Sequence, residues 1–299
     1  MSTIDDTIIV AYHDNCVDGF AAASVFWSCY HDAAQYIPVQ YDKRDEFIAK
    51  LRDAAELGIM LFVVDFSFTP EQLAELESLC SLVVMLDHHE TALRKYTPTG
   101  FQYKNVTDRH YIYIDTNFCG AKLAWQFMCW YISPPDLLDY IDDYDRWMFR
   151  FGDATKAVNQ ALKCTSLVPH TLSAWAQLMS ADSEELNQLI KTGKYLVGAF
   201  NDQCDAIIKA GASSQEFDGQ QIMLCNAPPM FASEVGNRLA KQHGVALIWH
   251  MRADGKIACS LRSIGDINVA AIAEMYGGGG HKNAAGFVME NTTWLTLFI

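Results

Sequence analysis

The sequence predicts an α/β protein of two domains joined by a helical linker. In the first half of the chain, apolar runs of about six residues alternate with helix-like segments, which is the pattern of a parallel sheet with crossover helices. A second set of short apolar runs begins near residue 220, after a stretch from 154 to 212 that has helical periodicity throughout. We therefore place an N-terminal parallel-sheet domain at 1–180, a linker helix at 181–213 and a smaller C-terminal α/β domain at 214–299.

Three apolar runs, at 7–12, 59–64 and 82–86, predict strands buried on both faces of the N-terminal sheet. The segment Thr69–Gln72 has a capping-box pattern with proline at the first helical position, which predicts that a helix begins at Pro70. The remaining elements of this domain are predicted as helices at 17–30, 45–57, 119–132 and from Asp136, and as strands at 35–41 and 111–114.

Polar side chains follow the three buried strands directly. His13 follows the first run, Asp65 the second, and Asp87-His88-His89 the third. A His or Asp after one strand is most often a loop residue or a helix cap. The carboxyl ends of parallel strands, however, share one edge of the sheet, where open α/β sheets bind ligands. Three coinciding strand ends therefore favour a functional site, and Asp18, at the start of the 17–30 helix, lies close to the same edge.

A later helix contributes one more candidate acid. The helix from Asp136 carries four further Asp residues, at positions 139, 142, 143 and 145, which is compatible with a solvated helix face. Asp143 fits that interpretation less well, because Ile141 and Tyr144 lie beside it. We therefore take Asp143 as the candidate functional residue of this helix.

Four consecutive glycines, Gly277–Gly280, precede His281 near the C-terminus. Such a run is costly in backbone entropy, but it allows a ligand or an anion to approach the backbone closely. A flexible turn is the alternative, and the cations Arg262 and Lys282 nearby argue against it. The elements around this segment are predicted as strands at 222–225, 245–251 and 257–261 and helices at 232–243 and 269–275.

Composition limits the partners. The chain has 36 Asp and Glu against 22 Lys and Arg, a net charge of −14, whereas tracking of long nucleic acid requires a basic face. The nine cysteines include no Cys-x-x-Cys pair, which argues against a disulfide framework or a zinc site. No apolar run approaches the roughly 20 residues of a membrane span, and Met1–Asp6 lacks the features of a secretory signal. We expect a cytoplasmic protein without membrane or long nucleic-acid partners.

The order of these motifs resembles the DHH phosphoesterase superfamily. The shared features are a histidine and an Asp-Gly after the first strand, an aspartate after the next, Asp-His-His after the third, an aspartate on a later helix, and Gly-Gly-Gly-Gly-His before Ala284–Phe287. The chain is similar to the branch with the DHH-associated C-terminal domain, which includes RecJ-type exonucleases and nanoRNases. The resemblance covers nearly the whole chain and implies a DHH domain at 1–180 and a substrate-binding domain at 214–299.

The resemblance also implies a centre for two divalent ions, usually Mn²⁺, with Mg²⁺ or Co²⁺ as alternatives. Asp87 and His89 would act on the substrate or orient the ligands. The corresponding metal ligands are His13 and Asp65 for one ion, and Asp18, Asp65, His88 and Asp143 for the other. The residues that would hold the phosphate and nucleotide are Arg262, Gly278, Gly279, Gly280, His281 and Asn283. Carboxylate and imidazole ligands suit such ions.

The sequence departs from the family pattern in the first loop. The family commonly has Asp-x-Asp after the histidine, and here the residues are Cys16-Val17-Asp18. Cys16, Asn15 and Asp14 are the candidates to replace the missing carboxylate. We expect one ion to bind tightly and the ion beside His13 to bind weakly.

The resemblance implies metal-dependent hydrolysis of short oligoribonucleotides or linear dinucleotides to nucleoside monophosphates. The acidity of the chain favours short substrates over long strands. The same ligands would serve a cyclic-dinucleotide phosphodiesterase or a 3′-phosphoadenosine 5′-phosphate phosphatase. A catalytically weak nucleotide sensor and a pyrophosphate or polyphosphate hydrolase are further alternatives, and the glycine-rich signature argues against the last. The oligomeric state stays open, with a dimer among the possibilities.

Overall fold

The computed structural model describes residues 7–53, 58–97, 99–217 and 219–298. The chain divides into two compact units between Val197 and Gly198. Each unit contains one six-stranded sheet. The predicted α/β class with two domains is thus confirmed.

The sheet of the N-terminal unit has the strand order β2-β1-β3-β4-β6-β5. Its strands are β1 (Thr7–His13), β2 (Ala34–Val39), β3 (Ile59–Val64), β4 (Leu82–Asp87), β5 (Gln102–Val106) and β6 (His110–Asp115). All neighbouring pairs are parallel except β5 with β6, which are antiparallel. The edge strand β5 was not predicted, because its half-polar sequence lacks an apolar run.

The helices of this unit are α1 (Val17–Tyr30), α2 (Arg44–Asp53), α3 (Pro70–Leu79), α4 (Glu90–Tyr96), α5 (Gly120–Met128), α6 (Asp136–Asp145), α7 (Asp153–Lys163) and α8 (Leu172–Leu178), followed by α9 (Ser183–Gly211), which extends into the second unit. The predicted start of α3 is confirmed by its capping box. The Thr69 side chain accepts from the Gln72 N–H, and the Gln72 side chain accepts from the Thr69 N–H. Helix α5 ends earlier than predicted, and residues 54–57 of the predicted second helix lie outside the described residues.

Two hydrophobic clusters cover the two faces of the N-terminal sheet. Successive side chains of a strand point to opposite faces. Accordingly, Val10 and Phe62 pack in one cluster, whereas Ile9 and Leu61 pack in the other. Burial on both faces is the reason that these strands are apolar throughout, and it leaves only their ends for polar chemistry.

The second unit contains a mixed sheet with the strand order β11-β12-β10-β9-β8-β7. Its elements after α9 are β7 (Ser213–Phe217), β8 (Gln220–Asn226), α10 (Ala232–His243), β9 (Val245–Met251), β10 (Ile257–Ser263), α11 (Val269–Met275), β11 (Gly279–His281), β12 (Ala284–Met289) and α12 (Asn291–Phe298). Among the described helices of the whole chain, none is both long and apolar enough to cross a bilayer.

Helix α9 packs against α7 through a glycine. A Cβ on Gly193 would lie 2.1 Å from the carbonyl oxygen of Ala157, whereas a Cβ on Gly198 of the same helix would meet nothing within 4 Å. We expect Gly193→Ala to lower the free energy of unfolding by about 1–3 kcal/mol through overpacking. We expect Gly198→Ala to raise it by about 0.5–1 kcal/mol, since alanine is the better helix former.

Urea unfolding followed by far-UV circular dichroism compares the two glycine variants with the parent chain. A Gly193→Ala variant as stable as Gly198→Ala would contradict the close approach of the two helices.

Candidate metal centre

The carboxyl ends of β1, β3 and β4 bring the predicted residues together. His13 ends β1, Asp65 follows β3, and Asp87 ends β4 with His88 directly after it. Asp18 reaches the same place from the first turn of α1. The sheet geometry thus converts five separate sequence positions into one cluster at the edge where α/β sheets bind ligands.

The side-chain atoms of the cluster lie close enough together to coordinate the same ion. The His88 Nε2 atom lies 3.0 Å from Asp65 Oδ1, 3.5 Å from Asp18 Oδ2 and 3.4 Å from Asp145 Oδ2. The His13 Nδ1 atom lies 3.4 Å from Asp65 Oδ2. Asp65 therefore contacts both histidines, one through each carboxylate oxygen.

Asp65 is held in place by unusual local structure. Its φ of 58° is in the left-handed region, which is uncommon for a residue other than glycine. A Cβ on Gly120 would lie 2.5 Å from the Asp65 Cβ, and a Cβ on Gly19 would lie 3.1 Å from Asp65 Oδ2. The two glycines therefore allow the helices α5 and α1 to close around this carboxylate.

Asp18 is anchored by the first turn of α5. Its two carboxylate oxygens accept hydrogen bonds from the backbone N–H groups of Gly120, at 2.6 Å, and Ala121, at 2.8 Å. N–H groups in the first turn of a helix have no partner within the helix, and the helix dipole favours negative charge there. No sequence pattern indicates this contact, because Asp18 and Gly120 are more than 100 positions apart.

The structure corrects one member of the predicted ligand set. Asp145, not Asp143, lies beside His88, and Asp18, His88 and Asp145 form a group that could hold an ion. Asp143 is fully buried elsewhere. Its oxygens accept from the Arg150 side chain, the Thr155 hydroxyl and the backbone N–H groups of Arg150 and Phe151, so this carboxylate is occupied.

The aromatic flanks of Asp143 correctly indicated burial but not the reason for it. Asp143 stabilises the turn that follows α6, whereas Asp145 ends the helix and reaches the cluster. The position of Asp145 as the last helical residue was the available signal, but it required knowing where α6 ends.

Asp87 and His89 form a pair beside the cluster. The Asp87 Oδ1 atom accepts from the backbone N–H of His88 at 2.7 Å and lies 2.7 Å from His89 Nδ1. The Tyr41 hydroxyl, which the sequence did not single out, lies 3.1 Å from the same His89 nitrogen. Asp65, Asp87 and His89 make a further group of converging ligand atoms.

Burial and neighbouring charges shift the pKa values of the groups in the cluster. Burial, together with Asp65 and Asp145, raises the pKa of Asp18 well above its usual value. Burial alone would lower the pKa of His88, but bonding to Asp65 and the charges of Asp145 and Asp18 raise it to about 10. Burial would raise the pKa of Asp87, but His89 lowers it to about 2. The ion-free cluster therefore retains protons where a cation would be favoured.

The donor set fits divalent ions. The His13 Nδ1 and Asp65 Oδ2 atoms face each other at 3.4 Å, yet both are buried without a hydrogen-bond partner. Buried polar atoms normally have one, so both atoms are suited to a shared third partner. Oxygen and imidazole donors match Mn²⁺ and also Mg²⁺ or Co²⁺, and the geometry does not choose among them.

The first loop places one of its three candidates in the cluster. Cys16 groups with His13 and Asp65 among converging ligand atoms. Burial and the nearby carboxylates of Asp65, Asp145 and Asp18 raise the pKa of the Cys16 thiol well above its usual value, so it is neutral without an ion. Asp14 instead accepts from the side chains of Asn15 and Gln40. Among the described residues, Asp14 belongs to none of the groups of converging His, Cys, Asp and Glu ligand atoms.

The predicted substrate residues of the second unit lie on strands β10 and β11 and directly beside β11. Arg262 of β10 and His281 of β11 are both in register with Ala284 of β12. Residues directly opposite each other in antiparallel strands share a face, so the two side chains lie on the same face of the sheet. The Arg262 guanidinium donates to Ser233 Oγ at 2.8 Å, and the Asn283 amide donates to Ser263 Oγ at 2.9 Å.

The glycine run has a packing role in this unit. A Cβ on Gly278 would lie 2.0 Å from the Gly286 carbonyl oxygen, and a Cβ on Gly280 would lie 2.5 Å from that of Ala284. Gly277 and Gly280 also have φ values of 76° and 140°. The close approach of β11 and β12 therefore requires glycine here, whether or not a ligand also approaches.

The N-terminal unit thus has a cluster of carboxylates and imidazoles that could hold metal ions at the carboxyl edge of its parallel strands. Residues 226–298 match the model of the DHHA1 domain, which lies within the second unit. For the second unit, this match supports the resemblance to the branch of the DHH phosphoesterase superfamily that carries this C-terminal domain.

Several proteins are similar to the chain. An uncharacterized protein of Acanthamoeba polyphaga mimivirus is 23% identical over 317 residues, which covers 96% of this chain and 68% of that protein. A membrane protein–large ribosomal subunit bL9 fusion protein of Onion yellows phytoplasma is 26% identical over 225 residues, which covers 75% of this chain. The match spans only 24% of the phytoplasma protein's length.

Similar solved structures share little sequence with the chain. An uncharacterized protein from Helicobacter pylori G27 has a TM-score of 0.43 at 16% identity, covering 95% of this chain and 93% of that one. A pGpG-specific phosphodiesterase from Vibrio cholerae has a TM-score of 0.47 at 12% identity, covering 97% and 96%.

We predict that Asp145→Asn weakens Mn²⁺ binding while Asp143→Asn does not. Loss of the Asp145 charge removes a donor from the His88 group, and we expect at least about a tenfold loss of affinity. Asp143→Asn instead breaks a buried charged network, which lowers the free energy of unfolding by about 3 kcal/mol. Isothermal titration with Mn²⁺, combined with thermal unfolding, separates the two effects.

The same Mn²⁺ titration measures stoichiometry in the parent chain. One tight and one weak site are expected, since Cys16 contributes a neutral thiol where a carboxylate is common in the family. Two sites of equal affinity in the parent chain would contradict a weakened site at Cys16. An equal loss of Mn²⁺ affinity in Asp145→Asn and Asp143→Asn would contradict the assignment of Asp145 to the metal centre.

Mn²⁺ binding should also release protons near neutral pH. His88, with a pKa of about 10, is protonated in the ion-free centre, whereas an imidazole ligand must be neutral. Raising the pH removes the competing proton, so the apparent affinity should increase up to about pH 10. Calorimetric titrations in two buffers of different ionisation enthalpy measure the release, and equal heats in both would contradict it.

Proposed function

We propose that the chain is a Mn²⁺-dependent phosphodiesterase that hydrolyses short oligoribonucleotides or linear dinucleotides to nucleoside monophosphates. The convergence of His13, Asp18, Asp65, His88 and Asp145 at one sheet edge carries the proposal. This arrangement supplies oxygen and nitrogen donors for two ions with Asp65 between them. The DHHA1 domain adds support, because this domain accompanies nucleotide-handling members of the superfamily.

The bound ions would neutralise the phosphate charge and activate water as the nucleophile. The chain's own residues would position the reacting groups. The low pKa of Asp87, at about 2, makes its carboxylate an acceptor, so the 2.7 Å contact keeps a proton on His89 Nδ1. This orientation assigns Nε2 of His89 as the ring nitrogen that would donate to or accept from the substrate.

The C-terminal unit would bind a nucleotide phosphate. Arg262 and His281 share one face of its sheet, and a guanidinium is well suited to a phosphate oxygen pair. A net charge of −14 disfavours long strands, since each bound phosphate needs neutralisation. Short linear substrates in the cytoplasm fit this balance.

We expect rapid release of monophosphate from two- and three-nucleotide RNAs with Mn²⁺, and little from a twenty-nucleotide RNA. The panel also includes cyclic dinucleotides, 3′-phosphoadenosine 5′-phosphate and pyrophosphate. Asp65→Ala and His88→Ala should each lower kcat at least about a hundredfold, because each removes a donor needed for charge neutralisation. Chromatographic measurement of monophosphate gives the rates.

His110→Ala is the matched control for His88→Ala. His110 begins β6, at the opposite end of the same sheet, and contacts Glu77. It should retain the parent turnover. Faster hydrolysis of cyclic dinucleotides or of the phosphomonoester would overturn the proposed substrate. Binding of a dinucleotide without turnover at saturating Mn²⁺ would replace the enzyme with a nucleotide sensor.

A further inference from the structure

The turn after α6 has strained backbone at two large aromatic residues. Trp147 has a φ of 57° and Phe149 a φ of 53°, both in the left-handed region. Bulky side chains rarely adopt this conformation, because the Cβ crowds the backbone. Strain of this kind persists only where surrounding contacts enforce it, and it is concentrated at functional sites.

Buried Asp143 enforces the conformation of this turn. Its backbone carbonyl accepts from the N–H of Met148 at 2.9 Å, and its side chain accepts from the N–H groups of Arg150, at 2.8 Å, and Phe151, at 3.2 Å. The Thr155 hydroxyl donates to the same carboxylate. A buried carboxylate thus fixes the turn from within, and the strain is compensated by charge-assisted hydrogen bonds.

The strained turn gathers three aromatic rings, Tyr144, Trp147 and Phe149, which we name the aromatic turn. The Trp147 ring lies edge-on to Tyr144 at 5.2 Å and to Phe149 at 4.7 Å between centroids. All three side chains are partly exposed rather than buried in the core. The chain therefore uses backbone strain to keep large aromatic surface at the protein exterior.

Two lysines from α7 lie over the aromatic turn. The Lys156 ammonium is 5.4 Å from the Phe149 centroid, and the Lys163 ammonium is 5.5 Å from the Tyr144 centroid. Both distances are within the range of cation–π contacts. In a chain with a net charge of −14, this pairs aromatic rings with a local concentration of positive charge.

The aromatic turn lies next to the metal centre along the chain. Tyr144 directly precedes Asp145, whose carboxylate is 3.4 Å from His88 Nε2, and Trp147 is the second residue after it. The segment that carries the rings therefore also carries a carboxylate of the metal centre. Aromatic faces with nearby cations bind the bases and phosphates of single-stranded nucleic acids without sequence preference.

We propose that the aromatic turn is a nucleobase-binding subsite, in which Trp147 stacks on a base of the substrate. The assignment of that base to a substrate of the metal centre rests on the proposed phosphodiesterase function. Stacking explains why large rings are held at the surface, and the lysines would favour the phosphate that accompanies the base. The ligand class is a nucleotide with an intact base.

The test compares substrates with and without a base. For a linear RNA dinucleotide, Trp147→Ala should raise KM about tenfold, whereas Trp147→Phe should retain most of the affinity because it keeps an aromatic face. For the same dinucleotide with abasic ribose, Trp147→Ala and the parent chain should have equal kcat/KM. Trp130→Ala is the control, since Trp130 is 81% exposed after α5 and should leave both substrates unaffected.

Equal effects of Trp147→Ala on the base-containing and abasic substrates would overturn the subsite, as would no effect on either. If the alanine variant is unstable, Trp147→Leu keeps apolar volume without the aromatic face and should give the same loss. Mn²⁺ stoichiometry and thermal unfolding verify that each variant is intact.

An equilibrium measurement separates this inference from the proposed function. Isothermal titration with AMP and with ribose 5-phosphate should show a loss of AMP affinity alone in Trp147→Ala. If no substrate is turned over, the phosphodiesterase proposal fails, yet the AMP titration still decides whether the subsite exists. Equal AMP affinity in the parent and variant chains would exclude base stacking on Trp147.

Discussion

The structure depends on a concentration of buried negative charge that its own cations do not balance. Asp18, Asp65 and Asp145 surround one imidazole, His88, at the carboxyl edge of the sheet. Burial and the nearby charges of Asp65 and Asp145 raise the pKa of Asp18 well above its usual value. Burying several carboxylates together costs free energy unless a cation neutralises them. The surrounding fold offsets part of this cost.

Helix α5 is the element that makes the cluster possible. The first-turn N–H groups of Gly120 and Ala121 hold Asp18, and the missing side chain of Gly120 leaves room for Asp65. Lys122 of the same turn pairs with Asp142, which explains a charged residue in an otherwise apolar helix. Residues 120–122 thus contact Asp18 at the start of α1, Asp65 at the end of β3, and helix α6.

The sequence predicted the sheet edge well and the helical contributions less well. Long apolar strands have one register that buries both faces, so their ends, and with them His13, Asp65 and Asp87, follow from the pattern. Edge strand β5 (Gln102–Val106) is mostly polar and lacks that constraint. The choice between Asp143 and Asp145 depended on how α6 ends, and a strained turn with Trp147 at positive φ is not encoded by local propensity.

Asp143 and Asp145 show how environment separates two acids on one helix. Burial would raise the pKa of Asp143, but Thr155 and the N–H groups of Arg150 and Phe151 lower it, so that this carboxylate is a structural anion with its partners in place. Burial raises the pKa of Asp145, and the charge of Asp65 adds to the rise. Burial and the Asp65 charge oppose ionisation of Asp145 beside the histidines of the cluster, whereas hydrogen-bond donors stabilise the charge of Asp143. This criterion assigns Asp145 to the metal centre and Asp143 to the turn beside it, even though a single residue separates them in the sequence.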